Sequence, residues 1–172
     1  MTTAVLPGSF DPITLGHVDL ARRATRLADH VVVAVGVNAG KRALLPVDLR
    51  VDLAAQAVAG IEGVSVRGFD GLLVDLCHEL GADLVVKGIR DSADVAWETT
   101  QASVNREIGG VETVFLPTRG ELAHVSSSIV RELASFGMDV SRYVPAAVAR
   151  ALADNGPWDG RDGHGSQGVD DD

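Results

Sequence analysis

Ser9 and His17 are the residues of this chain best placed to do chemistry. They fall in the stretch Val5-Leu6-Pro7-Gly8-Ser9-Phe10-Asp11-Pro12-Ile13-Thr14-Leu15-Gly16-His17. The apolar run Thr3–Leu6 ends at Pro7-Gly8, and a short loop follows. Leu15, Val18, Leu20-Ala21 and Ala24 then recur at helical spacing. Thr14 is an N-cap type, which puts His17 in the first helical turn. The order is strand, glycine-bearing loop, helix N-terminus. Such a terminus carries free backbone N–H groups and about half a positive charge, and it suits a phosphate. A hydroxyl and an imidazole at that end supply donors for charge that develops at phosphorus.

Two further clusters have the same chemical character. Lys87-Gly88-Ile89-Arg90 follows an apolar run and offers an ammonium, a glycine that permits close approach, and a guanidinium fork for phosphate oxygens. Val125-Ser126-Ser127-Ser128 puts three hydroxyls at a helix start, where they can cap the helix and contact phosphate. The chain has thirteen arginines and only two lysines, Lys41 and Lys87. A chain so sparing of lysine points to a specific use for the compact ammonium at both positions. Gly36–Lys41 is not a P-loop, because it has three residues between its glycines and Arg42 after the lysine. No G-x-G-x-x-G follows a strand, so a dinucleotide redox reading has no footing.

The elements that must position these residues alternate along the chain. Strands are predicted at Thr3–Leu6, His30–Val37, Val64–Val66, Leu84–Lys87 and Glu112–Leu116. Helices are predicted at Leu15–Leu27, Asp48–Ala59, Leu72–Leu80, Asp94–Ile108, Ser127–Phe136 and Pro145–Asp154. Runs such as Val31–Val35 are apolar on both faces, as strands of a covered parallel sheet are. The expectation is an α/β fold with a doubly wound, five-stranded parallel sheet. Ligands of such sheets bind beyond the strand carboxyl ends, where Ser9, Lys41 and Lys87-Gly88 all fall.

Residues 1–154 read as one domain. Residues 155–172 form an acidic, Gly- and Asp-rich tail with no apolar period, expected to be disordered. The net charge is −9, of which the tail holds −4. An acidic body argues against a nucleic-acid groove. No apolar run is long enough to span a bilayer, and no signal peptide is evident. The single cysteine, Cys77, excludes a disulfide framework, fits a reducing cytoplasm, and reads as core.

Gly8-Ser9-Phe10-Asp11-Pro12 with Thr14-Leu15-Gly16-His17 resembles the signature of the T/H-x-G-H nucleotidyltransferases. Val125–Ser128 resembles their second motif. With Lys87–Arg90 added, the chain most resembles the phosphopantetheine adenylyltransferase family, from about residue 3 to residue 154. The resemblance implies a Rossmann-like nucleotidyltransferase fold. It implies transfer of the adenylyl group of ATP to 4′-phosphopantetheine, giving 3′-dephospho-coenzyme A and pyrophosphate. By resemblance His17 stabilises the transition state, and ATP meets Ser9, Phe10, His17, Gly88, Ile89, Arg90, Glu98 and residues Leu122, Ala123, His124, Val125, Ser126, Ser127 and Ser128. The acceptor meets Ser9, Lys41, Leu73 and Lys87. Mg²⁺ accompanies ATP without a dedicated protein metal site. The family's hexamer, and feedback binding of coenzyme A, come with the same resemblance.

Val95, Ala96, Leu122 and His124 depart from the family pattern. Two other readings remain open on sequence. One is a sister enzyme acting on nicotinate mononucleotide or glycerol 3-phosphate; the other is a non-catalytic adenine-nucleotide sensor.

Overall fold

A computed structural model describes residues 1–37 and 43–154. Lys41 and the tail therefore lie outside the described residues. In chain order the elements are β1 (Thr3–Gly8), α1 (Leu15–Ala24), β2 (His30–Gly36), α2 (Val47–Val58), β3 (Val64–Phe69) and α3 (Leu73–Leu80). They continue with β4 (Leu84–Ile89), α4 (Ser92–Gly109), β5 (Glu112–Pro117), a 3₁₀ turn at Gly120–Leu122, α5 (Ser127–Ser135) and α6 (Ala146–Asp154). The five strands make one sheet in the order β3-β2-β1-β4-β5, with every pairing parallel. This is the doubly wound arrangement expected from the alternation of strands and helices.

The inner strands β2, β1 and β4 carry runs of successive apolar positions because both sheet faces are covered there. On one face Ala4, Leu6, Val31, Val33 and Val35 pack with Ala21 and Ala24 of α1, Leu53 of α2, Val130 of α5 and Val148 of α6. On the other, Val5, Ala34 and Val85 pack with Val74, Leu76 and Cys77 of α3. Cys77 is buried as its apolar setting indicated, and that burial pushes its thiol pKa up. No helix among the described residues is long and apolar enough to cross a membrane.

The element ends differ from the sequence expectation in ways that matter for the site. β1 continues past Leu6 to Gly8. Pro7 is tolerated there because the β1–β4 ladder has already ended: it pairs only Ala4 with Leu84 and Val5 with Val85. β4 reaches Ile89, so Gly88 and Ile89 are strand residues that pair with Leu116 and Pro117. β3 extends to Phe69, because pairing with β2 outlasts the apolar run. α1 stops at Ala24, and turns occupy residues 25–27. α4 starts at Ser92 because the Asp91 carboxylate accepts from Ala93 and Asp94 N–H, each at 2.9 Å.

Where α4 ends, Gly109 sits against α3. A β-carbon at residue 109 would lie 2.6 Å from Val74 Cβ. Gly109→Ala is expected to lower stability by about 1–3 kcal/mol through overpacking, read as a shifted urea midpoint at unchanged m-value. A midpoint equal to wild type would show that α3 and α4 part freely.

Candidate active site

Beyond Val5 and Val85 the strands β1 and β4 part, and the gap opens as a crevice at their carboxyl ends. Pro7 and Gly8 of β1 and Lys87 and Gly88 of β4 face each other across it. The first loop contributes Ser9 and Phe10, α1 contributes Gly16, His17 and Leu20, and Thr118 follows β5. Asp94 and Glu98 come from α4, and Val125 to Ser128 from the start of α5. Two helix N-termini, those of α1 and α5, thus open into one space.

The α1 terminus is fixed by a reciprocal cap. Thr14 Oγ1 accepts from His17 N–H, and Thr14 N–H donates to His17 Nδ1 at 3.0 Å. A backbone N–H can only donate, so Nδ1 is the acceptor and the proton of the neutral ring is on Nε2. The Phe10 ring stands edge-on to the imidazole, with centroids 5.0 Å apart. Burial of the ring, then the charges of Arg90 and Lys87, lower the His17 pKa from 6.5 to about 4. The site therefore presents a neutral imidazole with an oriented Nε2–H donor. Gly16 is not demanded by the protein's own packing, since the nearest atom to a β-carbon there would be Thr14 Oγ1 at 3.6 Å.

Each cation at the end of β4 has a carboxylate from α4. Lys87 Nζ lies 3.1 Å from Glu98. Arg90 is gripped by Asp94: Nε to Oδ2 at 2.8 Å, Nη2 to Oδ1 at 2.9 Å, and its backbone N–H to Oδ2 at 3.1 Å. That contact raises the Arg90 pKa and lowers that of Asp94. Asp94 and Glu98 are one helical turn apart, so one face of α4 serves both cations. Among the serines, Ser126 caps α5 by accepting from Ile129 N–H, and Ser127 Oγ donates to the Pro12 carbonyl at 2.9 Å.

Of the residues singled out in the sequence, the structure brings together Ser9, Phe10, His17, Lys87, Gly88, Arg90, Glu98 and Val125 to Ser128. Ile89, Leu73, Leu122, Ala123 and His124 do not line the crevice. Leu73 opens α3 and packs in the second core cluster. His124 stands edge-on to Tyr143, with centroids 6.0 Å apart. Gly88 has a packing reason as well, because a β-carbon there would sit 2.9 Å from Leu20 Cδ2.

The sequence reading missed Asp94, Asp11 and Arg50. Asp11 is buried; it accepts from Leu44 and Leu45 N–H at 2.7 and 2.8 Å and pairs with Arg131 at 3.2 Å. Arg50 is buried too, on the stripe it shares with Leu53, Ala54 and Val58 of α2. A charged residue on an apolar helical stripe was the available signal for Arg50.

The His17 assignment gives a direct test. Between pH 6.5 and about 4 the unfolded chain binds a proton at residue 17 that the folded chain refuses. The contribution of His17 to stability therefore falls as pH drops through that window. Ring ¹⁵N shifts of the folded protein are expected to report Nε2–H, neutral imidazole from pH 8 down to about 5. A midpoint near 6.5, or a proton on Nδ1, would contradict the geometry.

The cytidylyltransferase-like family model matches residues 5–133. A phosphopantetheine adenylyltransferase of Leifsonia xyli subsp. xyli is 54% identical, covering 87% of this chain and 96% of its own. One from Clavibacter michiganensis subsp. michiganensis is 52% identical, covering 87% and 94%. Among solved structures, a protein assigned as a nicotinate-nucleotide adenylyltransferase from Vibrio parahaemolyticus superposes with a TM-score of 0.68 at 19% identity. It covers 92% of this chain and 96% of its own, a likeness of fold. Relatives at about half identity along nearly their whole length narrow the fold to one lineage: the chain belongs to the cytidylyltransferase-like family and, within it, to the phosphopantetheine adenylyltransferases.

Proposed function

We propose that the crevice transfers the adenylyl group of ATP to the phosphate of 4′-phosphopantetheine, a step of coenzyme A biosynthesis. The observation that carries this reading is the neutral His17 ring, its donor nitrogen fixed by the Thr14 cap, beside Lys87 and Arg90 in one crevice. An oxygen of the acceptor phosphate attacks the α-phosphorus in line. The bond from that phosphorus to the bridging oxygen of pyrophosphate breaks, and pyrophosphate leaves. The acceptor phosphate is already ionised near neutral pH, so no general base is needed. His17 Nε2–H donates to a non-bridging oxygen whose charge grows in the transition state.

Arg90 and the α5 start take the departing phosphates, and Ser9 and Lys87 hold the acceptor phosphate. Lys41 joins them on the strength of its sequence position alone. Phe10, Gly88 and Glu98 border the nucleotide, with Ile89 and residues 122–124 contributing from the second rank. Lys87 exchanges Glu98 for phosphate, so ligand binding swaps one ionic partner for another. Among the described residues no group of three or more metal-type side chains gathers. Asp94 and Glu98 are occupied by cations. Mg²⁺ enters with ATP as part of the substrate, held by phosphates and water.

We further propose a hexamer in the cytoplasm, with coenzyme A as a feedback ligand of the same crevice. α4 has no buried residue and exposes Val95, Trp97, Val104 and Ile108, the kind of face a subunit contact covers. The acceptors nicotinate mononucleotide and glycerol 3-phosphate, and a sensor role, gain no observation of their own.

Two experiments test the reading. His17→Ala is expected to lower turnover by about 10²–10³ with ATP affinity changing far less. Turnover within a few-fold of wild type would remove His17 from the mechanism. Lys87→Ala is expected to weaken phosphopantetheine by roughly ten- to a hundred-fold in calorimetric titration, and ATP by less. Pantetheine without its phosphate should bind weakly to both proteins. Equal losses for pantetheine and its phosphate would assign Lys87 a structural role.

A further inference from the structure

Arg50 is a cation in the wrong place for a surface residue. It is 4% exposed, and among the described residues no carboxylate lies within ion-pair distance of it. Three backbone carbonyls take its charge instead. Nη1 donates to Ser9 O at 2.7 Å and to Gly36 O at 3.1 Å, and Nε donates to Leu45 O at 3.1 Å. Desolvating a guanidinium is costly, and an apolar side chain would fill the site without that cost. The fork is thus retained for what it holds. It joins three segments: the first loop, the end of β2, and the approach to α2.

The grip is doubled at Leu45. Arg50 takes its carbonyl, and Asp11, from the first loop, takes its N–H at 2.8 Å. Ser9 is held from below by its carbonyl, with its side chain left to the crevice. The next residue, Phe10, has φ of 44°, a left-handed conformation that a non-glycine residue keeps only when its surroundings impose it. Phe10 is 2% exposed and braces the His17 ring. The contacts form a continuous path from Arg50 through Ser9 O and Phe10 to His17.

We propose that Arg50 is a positioning residue of the transfer reaction, setting the first loop so that Phe10 holds the His17 ring in its reactive orientation. The proposal rests on the transfer reading above. Arg50→Lys keeps the charge and loses the fork, so one nitrogen must replace donors that Nε and Nη1 hold apart. It is expected to melt cooperatively, to lose about 10²-fold in kcat, and to keep KM for both substrates within about threefold. Because the effect runs through His17, adding Arg50→Lys to His17→Ala should cost less than about threefold more. A general loss of structure would multiply in the double variant. A folded Arg50→Lys with wild-type kcat, a loss carried by KM alone, or multiplying losses overturns the proposal.

If Arg50→Lys does not fold, Phe10→Leu decides: it breaks the path downstream of Arg50. A similar kcat loss together with loss of the acceptor state at His17 Nδ1 supports the path, and wild-type turnover or an unchanged ring ¹⁵N spectrum overturns it. If wild type fails to release pyrophosphate from ATP and phosphopantetheine, the transfer reading fails on its own. The His17 ring ¹⁵N spectrum then still judges Arg50. Loss of the acceptor state at Nδ1 in Arg50→Lys supports the positioning role, and an unchanged spectrum overturns it.

Discussion

The parting of β1 from β4 after Val5 and Val85 is the constraint on which the site depends. β1 is the central strand, and the connections run outward from it in both directions, to β2 and β3 on one side and to β4 and β5 on the other. A helix cannot cross above both halves at once, so the carboxyl end of β1 is left uncovered at this point. Everything that approaches the crevice arrives as the continuation of a parallel strand. That is why the first loop with the α1 start, the two cations after β4, and the α5 start converge from three distant parts of the sequence.

Where the strands part, polar ties join the apolar packing of Leu6, Phe10, Ile13 and Leu45 in shaping the crevice. Asp11 and Arg50 supply them from opposite charges that never meet directly. The Leu45 peptide lies between the two, donating to one and accepting from the other. Asp11 also reaches Arg131 of α5, which links the first loop to the helix that carries the serines. Across the crevice α4 answers Lys87 and Arg90 with carboxylates, so no cation of β4 stands uncompensated.

The sheet was legible in the sequence because a strand covered on both faces is apolar at every position, and His30–Val37 could be little else. Strand ends were harder. Pro7 reads as a terminator, yet β1 runs through it where one ladder has already stopped. Arg67 and Gly68 break the apolar run of β3 without breaking its pairing to β2. At the site, Ser9, His17 and Lys87 were legible as side chains at predicted strand and helix ends, and Gly88 as a point of close approach. The roles of Asp11 and Arg50 were not, though a charge on the apolar stripe of α2 marks Arg50: their partners are mostly peptide groups brought near by topology, and a peptide group leaves no mark in a sequence. His124 and Leu73, expected at the site from motif proximity and helix position, stand edge-on to Tyr143 and against the second core cluster.

The Thr14–His17 cap divides the labour of a single ring. One nitrogen looks inward as an acceptor and ends the helix; the other looks outward as a donor. Few side chains could stand in. Lysine and arginine donate without accepting. Glutamate accepts, and would set a negative charge where phosphates gather. Glutamine has both functions on one carbon, so they cannot point to opposite sides. Imidazole alone among the common side chains carries an acceptor and a donor across a rigid frame. A replacement at residue 17 would thus be judged twice, by the folding of α1 and by whatever the outer nitrogen touches, and relief from one demand brings none from the other.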